Sequence, residues 1–245
     1  MTASLVDRLG IGHPELISIV GAGGKTTLLH ALGRELTRDG YRVVLTTTTR
    51  MAADQVTEPV CWSTIPDDVA AAHVPGIPLF VMSGLNPDKA VGPDPDSVDR
   101  LFERSAADHV IVEADGARTM SIKAPADHEP MIPSRSTVVI VVVGADALGK
   151  PLLDVAHRPE QIVHLTGADN DSIVTPDLAA AVLLHPNGGL KNIPQDARIA
   201  MAITKVSADA DEAAEELASL LTIHPRVDRV VTLPHRDLEQ QQPFN

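Results

Sequence analysis

The stretch that decides the fold is Leu16-Ile17-Ser18-Ile19-Val20-Gly21-Ala22-Gly23-Gly24-Lys25-Thr26-Thr27. Its apolar first half predicts a buried strand, and the apolar spacing over residues 28–36 predicts a helix directly afterwards. A strand, a glycine-rich turn, Lys-Thr and a helix in this order are typical of a phosphate-binding loop. Glycines let successive N–H groups converge on phosphate oxygens, and the helix N-terminus adds a positive dipole end.

In this interpretation the loop binds a nucleoside triphosphate, ATP or GTP, together with Mg²⁺. Lys25, expected to be an exposed loop lysine, reaches the β- and γ-phosphates, and the Thr26 hydroxyl binds the metal ion. The alternative is a glycine-rich turn with no phosphate to bind. The nucleotide-binding residues of the loop are Gly21, Ala22, Gly23, Gly24, Lys25, Thr26 and Thr27.

The sequence of the loop departs from the usual phosphate-binding pattern G-x-x-x-x-G-K-[ST], because Ile19 stands where the first glycine belongs. Shortened spellings of this kind, such as G-T-N-G-K-T-T, occur in Mur-type ligases. Residues 144–150 match G-x-x-x-x-G-K literally, but Pro151 follows, which has neither a hydroxyl nor an N–H to offer. We interpret residues 144–150 as an ordinary loop at the end of a strand.

Two carboxylates follow a second buried strand, in His109-Val110-Ile111-Val112-Glu113-Ala114-Asp115-Gly116. Aliphatic residues that end in an acid are typical of the strand that holds Mg²⁺ in nucleoside triphosphatases. Glu113 and Asp115 point to the same side if the chain stays extended. The sequence thus predicts a catalytic set of Lys25, Glu113 and Asp115 and a metal-binding set of Thr26, Glu113 and Asp115. The alternative is a strand that ends in an ordinary Asp-Gly turn.

Two further polar segments supply candidates for binding a substrate. The threonine run 46–49 follows a strand, whose carboxyl end faces the ligand crevice in open α/β sheets, so Thr47 and Thr48 are candidates. Residues 121–130 place Lys123, His128 and Glu129 in one loop, where Lys123 would neutralise phosphate charge. The alternatives are a polar strand end and a solvated polar loop.

Lys205 lies in Thr204-Lys205-Val206-Ser207, at the end of another predicted strand. GTPases read guanine at such a strand end with N-K-x-D, where the lysine stem packs on the base. Lys205 is therefore a nucleotide-binding candidate. Ser207 replaces the guanine-reading carboxylate, and Asp209 would take its place only if the loop bends.

Composition limits the classes of function. The 245 residues, 44% of them hydrophobic, predict a single domain, 1–245, with a less regular insertion-like region at about 52–108. Residues 151–157 are expected to be irregular.

A net charge of −13 argues against a nucleic-acid partner, and the single cysteine excludes an internal disulfide. With no apolar run of membrane-spanning length and no signal-peptide design at the N-terminus, we expect a cytoplasmic protein with no membrane partner.

Taken together, these motifs resemble the YqeC family, which is associated with accessory or selenium-cofactor functions for selenium-dependent hydroxylases. The resemblance rests on residues 20–27, 46–51, 113–116, 123–130 and 149–151, and it covers most of residues 16–207. It implies a nucleotide-binding protein that takes part in maturing selenium-dependent molybdenum hydroxylases, with such an enzyme or its cofactor as partner. The family commonly has an N-K-x-D-like site where this chain has Thr-Lys-Val-Ser.

We therefore expect a three-layer α/β/α P-loop NTPase-like fold with a mostly parallel sheet, and a Mg²⁺-dependent nucleoside triphosphate hydrolase. Two alternatives remain open. One is a ligase or kinase that acts on a small acceptor, which the Mur-like loop spelling favours. The other is a nucleotide-sensing module without catalysis.

Overall fold

The computed structural model describes residues 3–87, 89–207 and 210–234. The strands found there are β1 Glu15–Gly21, β2 Val43–Thr47, β3 Arg50–Ala52, β4 Val60–Cys61, β5 Leu79–Val81, β6 Gly84–Asn86, β7 Lys89–Val91, β8 His109–Glu113, β9 Ile122–Lys123, β10 Val138–Gly144, β11 Ala156–His157, β12 Arg198–Val206 and β13 Arg229–Pro234. The α-helices found there are α1 Leu5–Leu9, α2 Lys25–Arg38, α3 Pro66–Ala72, α4 Pro95–Arg104, α5 Leu152–Val155, α6 Pro159–Thr166, α7 Pro176–Leu183 and α8 Asp211–Thr222.

The main sheet has the strand order β13-β12-β10-β1-β8-β2-β5-β4, and every described pairing in it is parallel. Its central strands are almost continuously apolar, as in β1 and β10, because helices cover both faces of such a sheet. The prediction of a mostly parallel sheet is therefore confirmed.

Successive residues of each central strand point to opposite faces of the sheet and enter two separate cores. Leu16 and Val20 of β1 pack with α3, α4, α7 and α8 on one face. Ile17 and Ile19 pack with α1 and α2 on the other. The molecule is thus a three-layer α/β/α structure. None of the helices in the described residues combines the length and the hydrophobicity that a membrane span requires.

The less regular region predicted at about 52–108 contributes β4 and β5 to the main sheet. The hairpin β6–β7 instead pairs with β3 in a small antiparallel sheet. Residues 151–157 differ from the expectation of an irregular segment, because they form α5 and β11. Strand β11 pairs in parallel with β9, outside the main sheet.

Strand β1 lies at the point where the direction of chain winding reverses. From β1 the chain continues to strands on the β8 side of the sheet, and it later returns to add β10, β12 and β13 on the other side. Open α/β sheets bind ligands at this position, beyond the carboxyl ends of the strands. The strand ends that meet there carry Gly21, Thr47, Glu113, Gly144 and Lys205.

A cluster of aromatic rings closes the opposite, amino-terminal edge of the sheet. The rings of His13 and Tyr41 stack with centroids 4.7 Å apart, and Tyr41 meets His109 edge-on at 5.0 Å. His109 is fully buried, and neither ring nitrogen has a hydrogen-bond partner among the described residues. Burial, with a smaller contribution from His13, lowers the pKa of His109 from 6.5 to about 4.

We expect this buried imidazole to make stability depend on pH between 6.5 and 4. The unfolded chain takes up a proton on His109 near pH 6.5, whereas the folded chain does so only near pH 4. The free energy of unfolding therefore falls as the pH drops through this window, by about 3 kcal/mol in total. Urea denaturation of wild type and His109→Phe across this range measures the effect. The variant should show a shallower pH dependence, and the exposed control His128→Gln should not; equal slopes for wild type and His109→Phe would refute the assignment.

Candidate nucleotide site

The loop between β1 and α2 is shaped by three glycines with positive φ: Gly21 at 94°, Gly23 at 93° and Gly24 at 109°. L-residues rarely adopt this conformation. A Cβ on Gly23 would also overlap the backbone nitrogen of Gly144, so β10 packs directly against the loop. From β12, the Thr204 hydroxyl donates a hydrogen bond to the Gly23 carbonyl. The glycine spacing thus lets the loop fit between two neighbouring strand ends.

Helix α2 begins at Lys25 with Gly24 as its N-cap, and no side chain of the described residues caps it. The first N–H groups of a helix have no intrahelical partner, and together with the helix dipole they favour an anion. This end of α2 follows the loop at the centre of the sheet, so its N–H groups add to those of the loop.

Lys25 is buried, with 3% of its surface exposed, which corrects the expectation of an exposed loop lysine. Its Nζ donates to the Gly21 carbonyl at 2.8 Å and lies 3.2 Å from Asp115 Oδ1 and 3.7 Å from Glu113 Oε1. Burial by itself lowers the pKa of Lys25, but Asp115 and then Glu113 outweigh it and raise the pKa above its ordinary value. The lysine is therefore held as a cation inside the loop.

Glu113 and Thr26 come together from different parts of the chain. The Thr26 hydroxyl donates to Glu113 Oε2 at 2.8 Å, joining the start of α2 to the end of β8. The Glu113 side chain remains 13% exposed. This pair keeps one carboxylate and one hydroxyl oxygen at a partly open position next to the loop.

Asp115 has a different environment from Glu113. Its Oδ2 accepts from the Gly21 N–H at 3.1 Å and lies 2.9 Å from Lys123 Nζ, while Oδ1 faces Lys25. Its side chain is only 3% exposed. Asp115 thus lies in a buried ion-pair network and binds the backbone where the loop begins.

The residues present fit a Mg²⁺ ion that is shared with phosphates. Among the described residues, no group of three or more His, Cys, Asp or Glu side chains is arranged to hold a metal ion. Mg²⁺ does not need such a cage, because it usually keeps several waters and binds one or two carboxylates plus substrate phosphates. The Thr26 hydroxyl and the Glu113 carboxylate supply suitable oxygens, whereas Asp115 is already occupied by N–H and ammonium groups.

The network around Asp115 continues into the loop that follows β9. Lys123 Nζ donates to the Gly116 carbonyl at 2.7 Å and to Glu129 Oε2 at 2.9 Å. Arg158 binds Glu129 through both terminal nitrogens, at 2.7 and 3.2 Å. Burial by itself raises the pKa of Glu129, but its bonds to Arg158 and Lys123 outweigh this and lower the pKa to about 2. With its three donor positions taken up, Lys123 acts on the site by holding Asp115.

The other substrate candidates are placed differently. Thr47 donates to the Glu113 carbonyl at 2.8 Å, and Thr48 donates to the Met131 carbonyl at 2.8 Å. Both threonines are buried and join strand ends. His128 is exposed on a turn, and within the described part of the chain no hydrogen bond or ion pair links it to the loop.

Lys205 lies next to the loop on the β12 side. It has a positive φ of 55°, and its Nζ binds Asp146 Oδ2 at 3.0 Å and Ser121 Oγ at 2.9 Å. Ser207 is exposed, and Asp209 lies outside the described residues. Lys205 is thus brought to the site, where its charge is already paired with that of Asp146.

Sequence comparison assigns the family. The family model described as YqeC protein matches residues 17–160, which include both the loop and the two acids. The protein described as "Uncharacterized protein YqeC" from Escherichia coli (strain K12) is 36% identical over 209 residues, covering 84% of this chain and 82% of that protein. This chain belongs to the YqeC family.

Solved structures resemble this family member only at low sequence identity. The MinC:MinD cell division protein complex of Aquifex aeolicus aligns with a TM-score of 0.49 at 14% identity, covering 94% of this chain and 87% of that one. The signal recognition particle receptor FtsY of Elizabethkingia anophelis aligns with a TM-score of 0.44 at 17% identity, covering 97% and 64% of the two chains.

Sequence reasoning missed two members of the site of this YqeC-family protein. Arg158 belongs to no recognisable motif, and only the pairing of β9 with β11 brings it near Glu129. Asp146 lies inside the literal G-x-x-x-x-G-K match that was interpreted as an ordinary loop. Its position just beyond a strand of the main sheet was the available signal, because the polar residues at such strand ends meet at one edge.

The different surroundings of the two acids predict different effects of their amide variants. Asp115→Asn removes a buried charge between two lysines and should lower the free energy of unfolding by about 3 kcal/mol. Glu113→Gln weakens the longer contact of 3.7 Å to Lys25 and leaves an oxygen that can still accept from Thr26, so it should cost about 1 kcal/mol or less. Urea denaturation at pH 7 measures both. Equal losses would contradict the distinction between a buried network residue and a partly open one.

Proposed function

We propose that this YqeC-family protein binds a nucleoside triphosphate with Mg²⁺ at the β1–α2 loop and hydrolyses it. The observation that carries the proposal is the meeting of Lys25, Thr26 and Glu113 at the carboxyl edge of the sheet, next to the N–H groups of a glycine loop. These groups come from α2 and β8, and together they offer positive charge, donors and metal-binding oxygens to phosphate.

Each side chain has a role that follows from its surroundings. Lys25 is a cation already facing the loop, and moving its ammonium from the Gly21 carbonyl to a phosphate exchanges one oxygen acceptor for a charged one. When bound, Mg²⁺ neutralises the charge that develops on the phosphate oxygens. Thr26 and Glu113 would hold it, and Glu113 is also placed to orient a water. Asp115 positions the Gly21 N–H and the Lys25 ammonium.

The biological role we propose is that of an accessory factor in the maturation of selenium-dependent molybdenum hydroxylases. Membership of the YqeC family supports this part of the proposal. Its partner would be such a hydroxylase or the cofactor of that enzyme. Nucleotide hydrolysis would then serve to drive a delivery or assembly step.

The test compares two lysines of the same chain. Lys25→Met and Thr26→Val should each lower the affinity for the Mg²⁺–nucleotide complex or its turnover by at least about a hundredfold, since charge-assisted bonds to phosphate are lost. Lys150→Met is the matched control. Lys150 is exposed and belongs to the literal G-x-x-x-x-G-K match at residues 144–150, where Pro151 stands in place of a serine or threonine. Calorimetry and phosphate release are measured on samples whose folded fraction has been checked by circular dichroism.

The outcomes separate the three functions considered for the sequence. Phosphate release without any acceptor supports the hydrolase. Formation of nucleoside diphosphate only when an acceptor is added supports a ligase, which also releases phosphate, or a kinase, which leaves the phosphoryl group on the acceptor. Binding without turnover supports a sensor. Wild-type affinity in both Lys25→Met and Thr26→Val would show that the nucleotide does not bind at this loop.

We also expect weak discrimination between guanine and adenine. A guanine-reading site depends on a carboxylate that accepts two N–H donors, and an exposed Ser207 offers one neutral hydroxyl instead. Lys205 keeps a stem that packs against either purine. Competition of ATP against GTP at equal Mg²⁺ measures the preference. A GTP preference well beyond about tenfold would indicate that another residue reads the base.

A further inference from the structure

An open cavity lies at the amino-terminal edge of the main sheet, on the side away from the nucleotide loop. It has a volume of about 240 Å³ and lies between α1 and the first residues of β10, β12 and β13, which are Val138, Arg198 and Arg229. Thr204, which binds the loop, follows Arg198 by six positions, or about 20 Å along an extended strand. The cavity is therefore distinct from the site that we propose for the nucleotide.

Arg198 forms a fixed wall of this cavity. Its Nη1 donates a hydrogen bond to the Gly10 carbonyl, and its Nη2 donates to Glu15 Oε1. Glu15 is itself held in place, because it also accepts from the Gly12 N–H at 3.1 Å and from the Thr137 hydroxyl. The Arg198 side chain remains 43% exposed. A guanidinium has five N–H donors, so the other donors of Arg198 can still bind a ligand.

Arg229 meets Arg198 at the same glycine. Gly10 has a φ of 65°, and a Cβ at this residue would overlap Arg229 Nε, so the Arg229 guanidinium lies directly against the Gly10 backbone. Among the residues that the structure describes, no acceptor forms a hydrogen bond or an ion pair with Arg229. Two cations held against one residue repel each other, and an anion bound by both would offset this repulsion.

The lining of the cavity is more positive than the protein as a whole. Asp228 contributes a carboxylate, and its Oδ2 accepts from the Ile199 N–H at 2.7 Å. The described lining thus holds two guanidiniums against one carboxylate, on a chain whose net charge is −13. The volume of the cavity equals that of about eight water molecules in the liquid, which limits a ligand to a small molecule.

We propose that Arg198 and Arg229 form a binding site for a small oxyanion, which is a phosphate or carboxylate group on a molecule of about eight non-hydrogen atoms. The planar N–H pairs of a guanidinium match two oxygens of either group, and such charge-assisted bonds are stronger than those between neutral groups. Arg229 exchanges water for the anion, while Arg198 keeps its bonds to Gly10 and Glu15. The site goes beyond the proposed function and does not rest on it.

The test titrates the nucleotide-free protein with inorganic phosphate and, separately, with malonate, at constant ionic strength. Malonamide is the control for charge, because it is neutral and otherwise resembles malonate. Binding is read by NMR from the backbone amide of Gly10 and from the Nε–H of Arg229, which the variant Arg229→Gln assigns. We expect saturable shifts of both signals with at least one of the two anions and none with malonamide. The anion that binds distinguishes a phosphate site from a carboxylate site.

Arginine variants separate a specific site from general screening. Arg229→Gln should weaken binding of the anion, read at Gly10, by about tenfold or more, and Arg229→Lys, which keeps the charge without the planar donor pair, should lie in between. Arg104→Gln, on the exposed end of α4, removes the same charge and should change little. Wild-type affinity in Arg229→Gln, equal losses in Arg229→Gln and Arg104→Gln, equal shifts with malonamide, or no saturation with either anion would overturn the proposal.

Discussion

The site depends on one buried carboxylate, that of Asp115. It binds the N–H of Gly21 and lies between the ammonium groups of Lys25 and Lys123. Without it, two lysines would be buried with too little negative charge, which is costly because an uncompensated charge in the interior loses its hydration. The same contact fixes the first residue of the glycine loop, so the charge balance and the loop conformation are parts of one arrangement.

This arrangement would let a buried lysine serve the phosphate ligand of the proposed function. Lys25 is bound to a carbonyl and to acids, and the pKa of its ammonium is raised by those acids, so no deprotonation competes with phosphate binding. In the proposed function, a phosphate would need only to replace the Gly21 carbonyl as acceptor. The lysine is held in place rather than solvated, so less conformational entropy would be lost when such a ligand binds.

Much of this was predictable from the sequence, because the signals were local. The apolar runs before Gly21 and Glu113 predicted both central strands, and the apolar spacing over residues 28–36 predicted the helix after the loop. Helix α2 begins three residues earlier than this pattern, at Lys25. The burial of Lys25 was not predictable, since it depends on Asp115 and Lys123 arriving from other segments. Arg158 was missed for the same physical reason: it reaches the site through the pairing of two-residue strands, which leave no periodic signal.

The different environments of the two acids likewise depend on the tertiary structure. Glu113 and Asp115 are separated by one residue, and both lie within 3.7 Å of Lys25 Nζ. Their partners differ because Thr26 lies next to one and Lys123 next to the other. The two acids look equivalent in the sequence. In the folded protein the Glu113 carboxylate is partly exposed, whereas the Asp115 carboxylate is buried and bound to the Gly21 N–H and two lysines.

The most direct test of this account is a crystal structure with Mg²⁺ and a non-hydrolysable nucleoside triphosphate. We expect the phosphates on the N–H groups of residues 23–26, with Lys25 Nζ moved from the Gly21 carbonyl to a phosphate oxygen and Asp115 still bound to Gly21. The metal ion should lie at Thr26 and Glu113. A nucleotide bound elsewhere, with the contact between Lys25 and Gly21 intact, would contradict the central claim.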